Sequence, residues 1–148
     1  MTSAQFLRQT YNAAMAAQNK YGLPALAMIA QSAMETGFGK STPGNMYFGI
    51  KAGSSWHGKK QLLWTHEYIH GVYTRVQDWF RAYDSIEESF DDYAILISSN
   101  KIYKAALNFT DDPIAYIQAV GKAGYATDPN YAAKIIPVIN DLKKKLKI

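Results

Sequence analysis

Residues 24–41 read PALAMIAQSAMETGFGKS, and this stretch decides the fold of the 148-residue chain. Pro24 suits the first turn of a helix, where a missing N–H costs nothing. The small and apolar residues that follow it are typical of a buried central helix. Gly37 and Gly39 are strong helix breakers, so the helix ends close to Glu35. We therefore expect a central helix with a carboxylate in its last turn.

Further helices are predicted on both sides of this segment from caps, breakers and apolar periodicity. Three of them have both limits predicted: Thr2 or Ser3 to Gly22, Ile102 to Leu107, and Asp112-Pro113 to Gly124. Two more have a predicted start, one at Ser85, where Glu88 completes a capping box, and one at Asp128-Pro129. In the last helix Pro137 predicts a kink or a break, because proline lacks the N–H that a helix interior uses.

Residues 42–83 have a different character. Five glycines interrupt this segment, and the runs Leu62–Thr65 and Val72–Val76 favour strands. His70-Gly71 between them predicts the turn of a β-hairpin. The fold class is therefore mainly α (α+β), with one domain over residues 1–148 and a small β-lobe at about 42–83 inserted into a helical body.

Composition narrows the class of protein. The chain is 48% hydrophobic with a net charge of +4, which excludes a disordered protein, and it has no cysteine for disulfides or a Cys-based metal site. No apolar stretch approaches the roughly 18–20 residues of a membrane span. Its 11 Tyr, 6 Phe and 3 Trp suggest a flat ligand, either sugar rings or nucleobases. The lysines at 143–145 and 147 fit an anionic partner or a solvated final helical turn.

Glu35 is the carboxylate with the least obvious structural role. Glu87 and Glu88 belong to the first turn of a capped helix, where negative charge is favourable. Glu35 instead lies at the negative end of a helix dipole among apolar neighbours, and both effects raise the pKa of a carboxyl group. A protonated carboxylic acid is what glycoside hydrolysis uses to release the departing sugar. The alternative is a solvent-facing glutamate at a frayed helix end.

Glu67 is the candidate second carboxylate, because two carboxylates on opposite sides of a cleft flank the bond in glycoside hydrolysis. The alternative is an exposed strand residue, and Asp78, Asp84, Asp91 and Asp92 are rivals that spacing does not rank. Tyr125 lies on the turn between two helices, where its hydroxyl either points into a cleft or simply packs.

His66-Glu67-Tyr68-Ile69-His70 matches the zinc motif His-Glu-x-x-His, which requires a helix. The following residues favour a strand, on which residues four apart lie about 13 Å from each other. We therefore expect neither a metal nor another cofactor.

Several blocks together resemble one enzyme family, the flagellar-muramidase-like N-acetylglucosaminidases of glycoside hydrolase family 73. The blocks occur in the family's order and are Ala30–Ser41, Asn45–Ala52, Thr65–Tyr68, Phe80–Ser85 and Gly124–Tyr131. The resemblance implies a lysozyme-like fold and cleavage of the β-1,4 bond between N-acetylglucosamine and N-acetylmuramic acid in peptidoglycan. It also implies Glu35 as general acid, Glu67 as second carboxylate and Tyr125 in the site. The aromatic residues expected to stack on sugar are Tyr47, Phe48, Trp56, Trp64 and Tyr83, with Trp79 as a further candidate.

Other functions remain as alternatives: a muramidase, a lytic transglycosylase, or a non-catalytic glycan-binding module of a phage tail or secretion apparatus. We expect a monomer that acts in the periplasm or cell wall and neither binds nucleic acid nor inserts into a membrane. No signal peptide is visible. The lack of a visible signal peptide fits three origins: a phage endolysin, a toxin delivered by a secretion system, or a domain cut from a longer protein. A delivered toxin would imply an immunity or inhibitor protein.

Overall fold

The computed structural model describes all 148 residues and confirms a helical body with an inserted β-lobe. The helices are α1 (Ser3–Tyr21), α2 (Ala25–Thr36), α3 (Ile86–Ser99), α4 (Pro113–Lys122) and α5 (Tyr131–Leu146), with 3₁₀ segments at Pro43–Asn45 and Lys101–Asn108. The strands are β1 (Lys60–Ile69) and β2 (Val72–Arg81). The predicted lobe thus lies between the second and third main helices.

Helix α2 is the centre of the body and contacts α1, α4 and α5. Its alanines are buried without side-chain bulk, which lets the neighbouring helices approach closely. Pro24 caps the helix rather than joining its first turn, and the Gln18 side chain accepts a hydrogen bond from the Ala25 N–H. Gly37 ends the helix in the left-handed conformation, as predicted. Glu35 therefore lies in the last turn.

Two predicted helix starts hold in part. Ser85 accepts a hydrogen bond from the Glu88 N–H, but the Glu88 carboxylate accepts from the Asp84 N–H, one residue before the cap. Helix α5 begins at Tyr131 and not at Asp128-Pro129. The Asp128 carboxylate accepts from the Asn130 N–H instead, forming a turn before the helix.

A break at Pro137 was the wrong expectation, because α5 continues through this residue. Proline removes the hydrogen bond to the carbonyl four residues earlier, which here belongs to Ala133. Both residues lie on the exposed side of α5, so water solvates the freed carbonyl.

The final turn of α5 carries Lys143, Lys144 and Lys145, where positive charge complements the helix dipole.

The hairpin is antiparallel and pairs β1 with β2 from Ile69 opposite Val72 to Lys60 opposite Arg81. His70 and Gly71 form its two-residue turn with φ of 51° and 79°, which confirms the predicted position. Both strands are longer than the runs from which they were predicted. The Arg81 N–H donates to the Ile50 carbonyl, which ties the segment before the hairpin to β2.

None of the helices has the length and apolar character that a membrane crossing requires.

Candidate active site

A cleft of about 570 Å³ lies between the helical body and the β-lobe. Glu35 reaches it from the end of α2, Glu67 from strand β1 and Tyr125 from the turn between α4 and α5. The residues that sequence reasoning assigned to catalysis therefore lie in one cavity, although they are up to 90 positions apart in the chain. The segment Phe48–Lys51 lines the cavity between them.

The Glu35 carboxyl forms no salt bridge and no hydrogen bond with the protein. Desolvation by the cleft walls raises the pKa of the carboxyl to about 7, although the Glu35 residue as a whole is exposed at the cleft mouth. Gly49 forms part of these walls. A Cβ added to Gly49 would lie 2.4 Å from Glu35 Oε1, so any larger residue would displace the carboxyl group. The backbone of Gly49 has a φ of +63°, which also favours glycine.

Glu67 has the opposite environment. Its Oε1 lies 2.5 Å from Nζ of Lys51, which is also 3.2 Å from a carboxylate oxygen of Asp78. The hydrogen bond with Glu67 is the main reason that the pKa of the Lys51 ammonium is raised, so the cation persists at neutral pH. One lysine thus holds two carboxylates on the β-lobe side of the cleft. The cleft places an unpaired, readily protonated carboxyl opposite one that is ion-paired.

Tyr125 joins the C-terminal part of the chain to the segment beside Glu35. Its hydroxyl donates a hydrogen bond of 3.2 Å to the Phe48 carbonyl. Burial, first of all, raises the pKa of the Tyr125 hydroxyl well above its usual value, and the nearby Tyr131 and Glu35 contribute in the same direction. Tyr125 therefore stays protonated and acts as a hydrogen-bond donor.

Of the aromatic residues predicted to stack on sugar, Phe48 borders the cleft, but it is only 5% exposed and its ring packs in the core on Tyr93, with ring centroids 4.1 Å apart. Tyr47 is a correction: it is only 2% exposed and packs in the core between Phe6 and Phe90, away from any ligand.

Trp56, Tyr83 and Trp64 do not line the cleft, so they do not stack on a sugar bound there. Trp56 packs edge-on against Tyr83 at the base of the hairpin, and the Tyr83 hydroxyl donates to Asp92. Trp64 projects from the outer face of the hairpin, because alternate residues of a strand point to opposite faces. Trp79, the further candidate, is also outside the cleft.

Comparison with known proteins identifies the family. The sequence profile of the family named Glucosaminidase, described as mannosyl-glycoprotein endo-beta-N-acetylglucosaminidase, matches residues 11–144. The chain belongs to the glucosaminidase family. It is 35% identical over 146 residues to the peptidoglycan hydrolase FlgJ of Pseudomonas aeruginosa, covering 94% of this chain but only 36% of that protein. The chain thus spans about a third of the length of this relative.

Solved structures agree with the glucosaminidase assignment. A crystal structure of a peptidoglycan hydrolase mutant from Sphingomonas sp. A1 superposes with a TM-score of 0.89 at 40% identity, covering 99% of both chains. A C-terminally truncated glycoside hydrolase domain from Salmonella typhimurium FlgJ gives a TM-score of 0.79 at 35% identity, covering 97% of this chain and 99% of that one. The glucosaminidase domain is therefore lysozyme-like in fold, as the sequence resemblance implied.

Sequence reasoning missed a hydrogen-bonded chain behind the glucosaminidase cleft. Gln31 donates to the Tyr131 hydroxyl at 2.8 Å and accepts from Tyr93, whose hydroxyl lies 2.7 Å from that of Tyr116. Gln31 precedes Glu35 by one helical turn and therefore shares its face of α2. This spacing was a signal that could have found it.

The hairpin tip also supplies glucosaminidase cleft residues to which the sequence analysis gave no role in sugar binding, namely His66, Tyr68 and Tyr73. The Tyr68 N–H donates to Thr127 Oγ1 at 3.0 Å, which closes the cleft between the hairpin and the turn that carries Tyr125. The His-Glu-x-x-His sequence lies on β1 and its turn rather than on a helix. The structure contains no cluster of three His, Cys, Asp or Glu residues suited to a metal.

Proposed function

We propose that this glucosaminidase domain cleaves the β-1,4 bond between N-acetylglucosamine and N-acetylmuramic acid in peptidoglycan, with Glu35 as general acid. The observation that carries the proposal is a carboxyl group with a pKa of about 7 and no cationic partner, at the wall of a large cleft. A group with this pKa is protonated in half of the molecules at neutral pH and is a strong enough acid to protonate a leaving oxygen. The names of the relatives, peptidoglycan hydrolases, support the choice of substrate.

Glu67 supplies negative charge on the opposite side of the scissile bond. Lys51 fixes the carboxylate by a direct ion pair, and Glu67 and Asp78 together carry one more negative charge than Lys51 neutralises. The remaining charge favours the positive oxocarbenium character that develops on the sugar during cleavage. Bound substrate displaces water from the cleft and strengthens this interaction.

Tyr125 and Phe48 shape the sugar-binding wall next to Glu35. The hydrogen bond between the Tyr125 hydroxyl and the Phe48 carbonyl fixes both residues. The half-buried Tyr125 ring offers a flat apolar surface of the kind on which sugars stack, while its protonated hydroxyl holds the wall to the backbone beside Gly49.

The test of the proposal is Glu35→Gln, with Glu87→Gln as the matched control because Glu87 is an exposed glutamate at the start of α3, outside the cleft. General acid catalysis contributes about 10²- to 10⁴-fold, so we expect a loss of that size in the release of fragments from purified sacculi. The control variant should retain wild-type activity. Near-wild-type activity of Glu35→Gln, with unchanged circular dichroism, would refute Glu35 as the acid.

Mass spectrometry of the products tests the bond. Reducing-end N-acetylglucosamine is the expected product. Reducing-end N-acetylmuramic acid would identify a muramidase, and anhydro-muramic ends a lytic transglycosylase. Binding to sacculi without any product would indicate a non-catalytic module.

The proposed substrate places the action of the domain in the periplasm or cell wall. An inhibitor or immunity protein, if the chain is a delivered toxin, would have to cover Glu35 and Glu67 in the cleft. Preincubation with such a protein should then protect sacculi from cleavage.

A further inference from the structure

The outer face of the hairpin exposes several large apolar side chains. Trp64, Leu62 and Trp79 are 55%, 45% and 44% exposed, and they lie together on one face because Leu62 pairs with Trp79 and Trp64 follows Leu62 by two residues. The solvent side of an antiparallel sheet normally carries polar residues. A contiguous exposed apolar patch of this kind marks an interaction site.

Two cations accompany these indole rings. The Arg75 guanidinium lies 4.0 Å from the centroid of the Trp64 ring, and Nζ of Lys60 lies 5.0 Å from that of Trp79. Neither cation pairs with a carboxylate. The outer positions of both strands contain no aspartate or glutamate, since Glu67 and Asp78 point to the other face. The outer strip, defined here as Lys60, Leu62, Trp64, Tyr73, Arg75 and Trp79, is therefore aromatic and positively charged.

The outer strip is continuous with the cleft. Tyr73 stacks on His66 with ring centroids 4.7 Å apart and planes 10° apart, and both residues line the cleft mouth. From the Tyr68–Tyr73 pair to the Leu62–Trp79 pair the strip follows six residues of β1, or about 20 Å. A polymer that leaves the cleft at the hairpin tip would reach the strip through His66 and Tyr73.

We propose that the outer strip is a second binding surface for peptidoglycan glycan, outside the catalytic cleft. This inference rests on the proposed function, because the choice of an anionic glycan follows from the polymer in the cleft. Its sugar rings offer flat faces to Trp64 and Trp79, and its lactyl and stem-peptide carboxylates pair with Arg75 and Lys60. Charge complementarity and continuity with the cleft favour a glycan strand over a protein partner.

The test measures binding of the protein to purified sacculi by co-sedimentation, in a Glu35→Gln background so that the polymer is not consumed. We expect Trp64→Ala with Trp79→Ala to weaken binding about tenfold, which corresponds to losing about 1.4 kcal/mol of sugar stacking on the two rings. Tyr11→Ala is the matched control, because Tyr11 is a 40% exposed aromatic residue on α1, away from the cleft. Arg75→Gln with Lys60→Gln should weaken binding at low salt and reduce its salt dependence.

A second measurement separates a binding surface from a general structural effect. In the active protein, the tryptophan double variant should lose more activity on sacculi than on a soluble disaccharide-peptide dimer that fills only the cleft. An equal loss on both substrates, or unchanged sedimentation, would overturn the proposal. The proposal would also be overturned if the tryptophan double variant lost binding to phosphatidylglycerol vesicles or to DNA but bound sacculi like the wild type. Failure of the proposed function is recognised separately, by wild-type cleavage in the Glu35→Gln variant.

Discussion

Gly49→Ala gives the sharpest test of how the site is built. The new methyl group would lie 2.4 Å from Oε1 and 2.8 Å from Cδ of Glu35, about 1 Å closer than ordinary contact. The carboxylate is the flexible end of a side chain, so it moves away and the fold survives. Misplacement of a reacting group by about 1 Å costs roughly 100-fold in rate. We expect a loss of this size in kcat on peptidoglycan.

The backbone of Gly49 also contributes to the cost, because alanine at a φ of +63° is strained by about 1–2 kcal/mol. Gly71→Ala is the matched control. Gly71 has a similar φ of +79°, and a Cβ added there meets nothing within 4 Å. Both variants should therefore melt a few degrees below wild type, by about 3–8 °C. Only Gly49→Ala should lose activity.

The assay is the release of fragments from sacculi at saturating substrate, together with thermal melts followed by circular dichroism. Equal activity of the two variants would refute the claim that Gly49 positions the general acid. The claim would also be refuted if Gly49→Ala were unfolded while Gly71→Ala stayed folded. The clash would then disrupt the fold instead of displacing the Glu35 side chain.

Three further predictions concern the charges in the cleft. Activity should fall as the pH rises through about 7, because Glu35 must be protonated to act as an acid, and kcat/KM against pH measures this. The raised pKa also stabilises the fold below about pH 4.5, and this contribution is lost as the pH rises to about 7. Melting temperatures of Glu35→Gln should therefore exceed those of wild type more at pH 8 than at pH 5, and parallel curves would contradict the assignment. Lys51→Gln should lower activity about tenfold by freeing Glu67, whereas Lys59→Gln, which removes an ion pair with Asp84 outside the cleft, should not.

Much of the fold was predictable because helix ends and tight turns are decided by neighbouring residues. Gly37 ends α2 through its own backbone conformation, and His70-Gly71 sets the hairpin turn in the same way. Pro137 shows the limit of local rules. Whether a helix breaks at proline depends on what surrounds the freed carbonyl, and this is known only once the helix has been packed.

The aromatic residues were predicted less well because their roles depend on which side of an element faces the cleft. Tyr47 and Phe48 are neighbours in the chain and both are buried in the core, although Phe48 also borders the cleft. Trp64 and Glu67 are three residues apart on a strand, so the period of two places them on opposite faces. That rule was available from the sequence once the strand was predicted, and it would have separated Trp64 from the face that carries Glu67.

The segment Phe48–Lys51 connects the parts of the site that the sequence presents as separate. Gly49 lies against the Glu35 carboxyl, Lys51 binds the Glu67 carboxylate, and the Phe48 carbonyl accepts from Tyr125. Because the Ile50 carbonyl accepts from the Arg81 N–H of β2, the hairpin holds this segment in place. Changes at 49 and 51 should therefore act on different carboxylates. Gly49→Ala displaces the acid and alters the pH dependence of the reaction, whereas Lys51→Gln lowers the rate at every pH without moving the pKa of Glu35.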